Sequence, residues 1–182
     1  MHLLSSNRHS NLSLFQLMFE KKANPNIKNK KGFTAFQMAL KYHSDIKVIQ
    51  YLYHNSSHPH SLTQNKETPL HLACSNLNFS LPLLSFLLEQ NCDLQKVDIN
   101  GNSVLHTLIF NENHKSTHLK FLINQKSNPN LTNNSNHSPC LLITNKTILN
   151  KILILEITYS VLFFFFVVKC FTFGSFYLLF VD

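Results

Sequence analysis

Two short motifs recur in this chain at nearly constant spacing, and they restrict its folding more than any other feature. Gly32–Ala39, Lys66–Ala73, Gly101–Leu108 and Asn136–Ile143 align without gaps. Their hydroxyl residues, Thr34, Thr68, Ser103 and Ser138, are separated by 34, 35 and 35 residues. A second motif keeps the same phase. Ala23–Asn26, Ser57–His60, Cys92–Gln95 and Ser127–Asn130 each end eight residues before a hydroxyl position. A period of this length predicts supersecondary units that stack on their neighbours.

The apolar residues show what each unit contains. Leu83, Leu84, Leu87 and Leu88 have helical spacing, and Val48–Leu52, Leu119–Ile123 and Leu14–Met18 repeat that pattern in the other periods. Pro82 suits a helix start, after Ser80 as a candidate N-cap. A short helix pair cannot bury its apolar face alone, so the core must be shared between units.

Thr68-Pro69-Leu70-His71-Leu72-Ala73 resembles the TPLHxA signature of ankyrin repeats, and the Ala23-Asn24-Pro25-Asn26 segment resembles their GADPN turn. The resemblance covers about residues 12–143. It implies an all-α solenoid of helix–loop–helix units with β-hairpin fingers. Full repeats are expected at 29–61, 63–96 and 98–131, an N-terminal half repeat within 1–28 and a degenerate repeat at 133–146. It also implies a structural motif set: Thr34, Thr68, Pro69, Leu70, His71, Ala73, Gly101, Ser103, Leu105 and His106. Within that set His71 and His106 take a hydrogen-bonding role between the hydroxyl residue and nearby backbone.

Two departures from the family pattern carry expectations. The period exceeds 33 residues, so the extra residues fall between paired helices, in Tyr42–Ile46, Asn76–Ser80 and Asn111–Ser116. These loops lack the usual glycine. Lys66 and Asn136 also replace the glycine before the hydroxyl residue, where a positive φ would be strained or the turn reshaped.

Partner contacts in such stacks come from finger tips and the concave face of the first helices. By phase, the resemblance implies Lys30, Lys31, Phe33, Lys41 and Tyr42 in the first full repeat. The second offers Gln64, Asn65, Glu67, Ser75 and Asn76, and the third Ile99, Asn102, Phe110 and Asn111. Phe33, Tyr42 and Phe110 are the hot-spot candidates, with packing between repeats as the alternative role. Lys21, Lys22, Lys28, Lys30 and Lys31 place five positive charges in eleven residues, as a solvated rim or an anion-binding patch. The chain has 15 Lys but one Arg, Arg8, and Arg is the residue of specific phosphate and base contacts, so nucleic-acid binding is not expected.

No Ser/His/Asp set, carboxylate pair or phosphate-cradling glycine loop is visible, so an enzyme is not expected, nor a cofactor. His54, His58 and His60 cluster without an accompanying Cys or acidic residue, so no metal site is expected. His114 and His118 lack an HExxH context. The four cysteines are too far apart for CxxC pairs, and Cys74 and Cys92 read as small buried packers. Met1–Lys22 has no apolar block after a basic start, which leaves a cytoplasmic body in a reducing compartment as the expectation.

Beyond residue 151 the composition changes. Residues 152–181 form an apolar tail, and within it 157–181 hold 19 apolar residues of 25. As a helix this stretch would run about 37 Å, enough to cross a bilayer, with Lys169 costing about 3 kcal/mol at its midpoint. A membrane anchor, translated non-coding sequence and a packed or disordered tail are the three readings. The composite expectation is a non-catalytic protein–protein interaction scaffold, possible membrane attachment included, with an unidentified protein partner. Leu105–Thr117 also resembles a repeat of rabankyrin-type FYVE–ankyrin proteins. That makes a fragment of an endosomal trafficking protein, with phosphoinositide and Rab partners, one alternative. The ankyrin part of a membrane channel or transporter is the other.

Overall fold

The computed structural model describes residues 1–8 and 10–144, so the apolar tail read at 152–181 lies outside the described residues. Nine helices occur among them: α1 His2–Ser6, α2 Leu12–Glu20, α3 Ala35–Tyr42, α4 Ile46–His54, α5 Pro69–Ser75, α6 Leu81–Glu89, α7 Val104–Phe110, α8 Ser116–Asn124 and α9 Pro139–Thr144. None of these is long and apolar enough to cross a membrane.

The hydroxyl residue of each repeat starts its first helix. Thr34 and Gln37 form a reciprocal capping box at α3, and Thr68 and His71 do the same at α5. Ser103 N–H donates to His106 Nδ1 at α7, at 3.0 Å. Pro69 occupies the first turn of α5 and Pro82 that of α6, where a missing N–H leaves no bond unmade. Ser80 is the N-cap of α6, but its side chain makes no capping bond.

Helices pair within repeats, α3 with α4, α5 with α6 and α7 with α8. The first helices also stack in order, α1 on α3, α3 on α5 and α5 on α7, while α2 packs on α4. Residues 1–28, read above as a half repeat, contain two helices, α1 and α2. The shared interior includes Phe15, Phe36, Leu40, Ile49, Leu52, Leu70, Leu84, Leu87, Leu105 and Leu108, all fully buried. Each such side chain stabilises the stack by about 1.5–3 kcal/mol relative to exposure.

The fingers differ from the expected β-hairpins. Each is a tight turn held by two backbone bonds: Asn29 N–H to Phe33 O (2.9 Å), Thr63 N–H to Glu67 O (3.1 Å), Asp98 N–H to Asn102 O (2.9 Å) and Asn133 N–H to His137 O (2.9 Å), each joined by a return bond to the first residue's carbonyl from Gly32, Lys66, Gly101 and Asn136 N–H at 2.8, 3.0, 3.1 and 2.9 Å. Both bonds lie within the turn itself and no ladder extends beyond them, so no strand occurs among the described residues. Neighbouring fingers are joined instead by Ile99 N–H to Asn65 O (2.8 Å) and Asn134 N–H to Asn100 O (3.0 Å).

Lys66 and Asn136 keep the turn rather than reshaping it. Their φ values of 59° and 58° sit beside 78° at Gly32 and 75° at Gly101. The closing bonds survive in those two fingers, at a strain of about 1 kcal/mol for the lysine. The glycine-free loops between paired helices need no such conformation. His43, Asn76 and Asn111 leave α3, α5 and α7 with extended backbone, φ −83°, −74° and −74°.

Candidate partner-binding face

The motif residues are committed to holding the stack. His71 Nδ1 accepts from the Thr68 backbone N–H at 3.3 Å and lies 2.7 Å from the Thr68 hydroxyl, while Nε2 lies 3.0 Å from Asn102 O. A backbone N–H only donates and a carbonyl only accepts, so the ring is neutral with its proton on Nε2. His106 repeats this geometry, with Nε2 donating to His137 O at 2.9 Å. His2 Nε2 donates in the same way to Phe33 O at 3.0 Å. In the first full repeat Gln37 substitutes for the imidazole: its Oε1 accepts from Thr34 N–H and its Nε2 donates to Ser61 O, each at 3.0 Å. Burial pushes the His71 pKa below its ordinary value, against smaller opposing contributions from the Asn102 carbonyl and the Asp98 and Glu67 carboxylates.

Two residues expected at the surface are buried. Asn76 and Asn111 are inter-repeat staples, not exposed contacts. Asn76 Nδ2 donates to Leu40 O (3.0 Å) and His43 O (2.8 Å), and Asn111 Nδ2 donates to Cys74 O and Asn76 O, both at 2.8 Å. Their Oδ1 atoms accept from Asn78 N–H and Asn113 N–H, which shapes the loops between helices. The reason is physical: the last carbonyls of the preceding first helix have no intrahelical donor, and a primary amide supplies two hydrogens at once.

The other predicted contact residues divide by exposure. Lys30, Lys31, Gln64 and Asn65 are exposed at the finger tips. Ile99 is 50% exposed, Tyr42 43% and Phe110 54%. Phe33, Lys41, Glu67, Ser75 and Asn102 are partly covered. Glu67 accepts from the Thr63 hydroxyl at 2.9 Å within its own finger, whereas Asn102 donates to Asp98 Oδ2 at 3.0 Å and accepts from Asn133 Nδ2 of the next finger at 2.8 Å. Lys41 Nζ lies 5.6 Å from the Phe33 ring centroid.

The histidine cluster has a neighbour that the sequence did not show. His60 Nδ1 lies 3.6 Å from Cys92 Sγ, and its Nε2 3.2 Å from the Tyr53 hydroxyl. Burial pushes the Cys92 thiol up to about 11 and raises that of Cys74 too, so both stay protonated at neutral pH. Among the described residues no three His, Cys, Asp or Glu converge as a metal-binding group. His114 Nδ1 lies 2.6 Å from Asn111 O, and His118 packs against Phe79 at 4.2 Å between ring centroids.

The helix-pair stack with capped turns and projecting fingers defines a repeat solenoid. The family model for ankyrin repeats (3 copies) matches residues 1–98 and 41–133, so the chain belongs to the ankyrin-repeat family. It is also similar to human ankyrin repeat domain-containing protein 53, at 37% identity over 79 residues. That match covers 42% of this chain and 15% of the relative, so the chain corresponds to a small part of the relative's length. The FYVE–ankyrin and channel or transporter alternatives gain no support from these matches.

Proposed function

We propose that the chain is a non-catalytic protein–protein interaction module, with the finger tips and first-helix ends as its contact surface. The supporting observation is the exposure of Tyr42, Ile99 and Phe110 on a stack whose interior is already filled by other apolar residues. Large side chains left at the surface of a rigid scaffold supply contact area with little ordering cost on binding. The catalytic-looking histidines of the motif support the same reading, because both ring nitrogens of His71 and of His106 are occupied within the fold. The free thiols of Cys74 and Cys92 fit the proposed cytoplasmic placement of the body.

The test is selection of peptide binders on the full chain, followed by single substitutions Tyr42→Asp, Ile99→Asp and Phe110→Asp. At least one should weaken the selected binders about thirtyfold, the size of a hot-spot loss, with an unchanged far-ultraviolet spectrum. Binders that tolerate all three and map to the outer helices α4, α6 and α8 would overturn the proposal.

A further inference from the structure

A hollow opens where α1, the first finger and α3 meet. Its walls include Leu3, Phe33, Met38 and Tyr42, with Lys30 and Lys31 at the rim, and its volume is about 460 Å³. Pockets of this size accept a side chain or small ligand. Leu3 is 87% exposed, which leaves a large apolar group with nothing covering it.

The walls are fixed before anything binds. Asn29 Oδ1 accepts from the Lys31 and Phe33 backbone N–H groups at 2.9 and 3.0 Å, which sets the finger turn. His2 then ties α1 to that finger through Phe33 O. The charge is one-sided: the lining contains two lysines and no carboxylate, and Lys41 stands over the Phe33 ring. The corresponding tips of the next two fingers are neutral, Gln64-Asn65 and Ile99-Asn100.

We propose that this hollow docks an acidic peptide segment carrying one apolar or aromatic anchor. The anchor enters between Leu3, Phe33 and Tyr42, while flanking carboxylates meet Lys30, Lys31 and Lys41. The proposal rests on the partner-binding reading above and assigns it a chemistry. Charge complementarity argues for an acidic partner, and a recessed apolar floor argues for an inserted side chain rather than a flat headgroup surface.

The probe is a labelled twelve-residue peptide of glutamates interrupted by one phenylalanine and one leucine, titrated into the full chain. The expected result is saturable binding that weakens about tenfold in the pair Lys30→Glu and Lys31→Glu. It should be kept in the charge-matched pair Lys96→Glu and Lys126→Glu, and fall as salt rises from about 0.1 M to about 1 M, where the screening length drops from about 10 Å to about 3 Å. Equal weakening in both pairs, or equal binding of an all-glutamate peptide, would overturn the proposal as non-specific charge attraction. Binding to phosphatidylserine vesicles without binding to the peptide would overturn it in favour of a membrane surface. Selected binders sensitive only to Phe110→Asp would overturn it while leaving the interaction-module reading intact.

Discussion

The N-terminal part of the stack and its middle follow one backbone path with different chemistry at the joints. In the middle, imidazoles at His71 and His106 reach the next finger, and carboxamides at Asn76 and Asn111 reach back to the preceding helix. At the N-terminal end Gln37 reaches Ser61 O, while His43 Nε2 lies 3.1 Å from both the Ser10 hydroxyl and the Ser10 carbonyl. The middle is thus a periodic device. At the N-terminal end His2 keeps the imidazole joint to Phe33 O, while Gln37 and His43 meet their orphan groups by other means, and this end carries the lysines. The requirement for paired backbone groups is strict, whereas the side chain that meets it is not.

The largest effect should come from removing a staple. Asn111→Ala leaves the buried Cys74 O without its staple donor and Asn76 O with the Phe79 N–H at 3.2 Å, and should cost about 2–3 kcal/mol in urea unfolding. A loss below about 0.5 kcal/mol would show that water reaches those carbonyls. Next is the finger turn. Gly101→Ala forces a Cβ to within 2.5 Å of Asn134 Oδ1 and 3.0 Å of Asn134 N, at a φ that L-residues resist, and should lower stability by about 2 kcal/mol. Lys66→Gly relieves the same conformation in the finger that lacks glycine and should raise stability by up to about 1 kcal/mol.

The pH response separates the two regions more finely. The folded His71 pKa is depressed by burial, so protons bind the unfolded chain more readily. Its contribution to stability is fully present above about pH 6.5, the ordinary histidine value, and is lost as pH falls from there toward the folded pKa. His71→Gln copies the titration-free joint of the first repeat, and should flatten the slope of stability against pH on the acid side. An unchanged slope would assign the acid sensitivity to other groups, beginning with His118, whose pKa is lowered by burial and by Lys115 and His114. The smallest effect on folding is expected at the proposed contact surface. Phe110→Ser should shift the thermal midpoint by no more than about 0.5 kcal/mol is worth, since this side chain is mostly solvated.

Much of the fold was legible because the hydroxyl caps, the prolines and the apolar spacing act locally and recur in phase. The staples were not. Asn76 and Asn111 recur at the repeat distance, yet in a chain with 22 asparagines that recurrence carries no signal. Phase alone placed them on the surface, because it cannot see which carbonyls a neighbouring helix leaves unpaired. The finger lysines were visible, but not that α1 closes one wall of a hollow beside them. That wall belongs to residues 1–28, where the period gave no first helix.

The sequence by itself determined the period, the starts of the first helices and the residues that fill the interior, since helix caps and apolar periodicity depend on neighbours within a few positions. Only the tertiary structure decided which polar residues are spent between repeats, which carbonyls join one finger to the next, and where apolar side chains and lysines meet at one hollow. Those outcomes depend on groups some 30 residues apart in the chain, brought together by stacking, and each is fixed by the need to pair buried backbone groups.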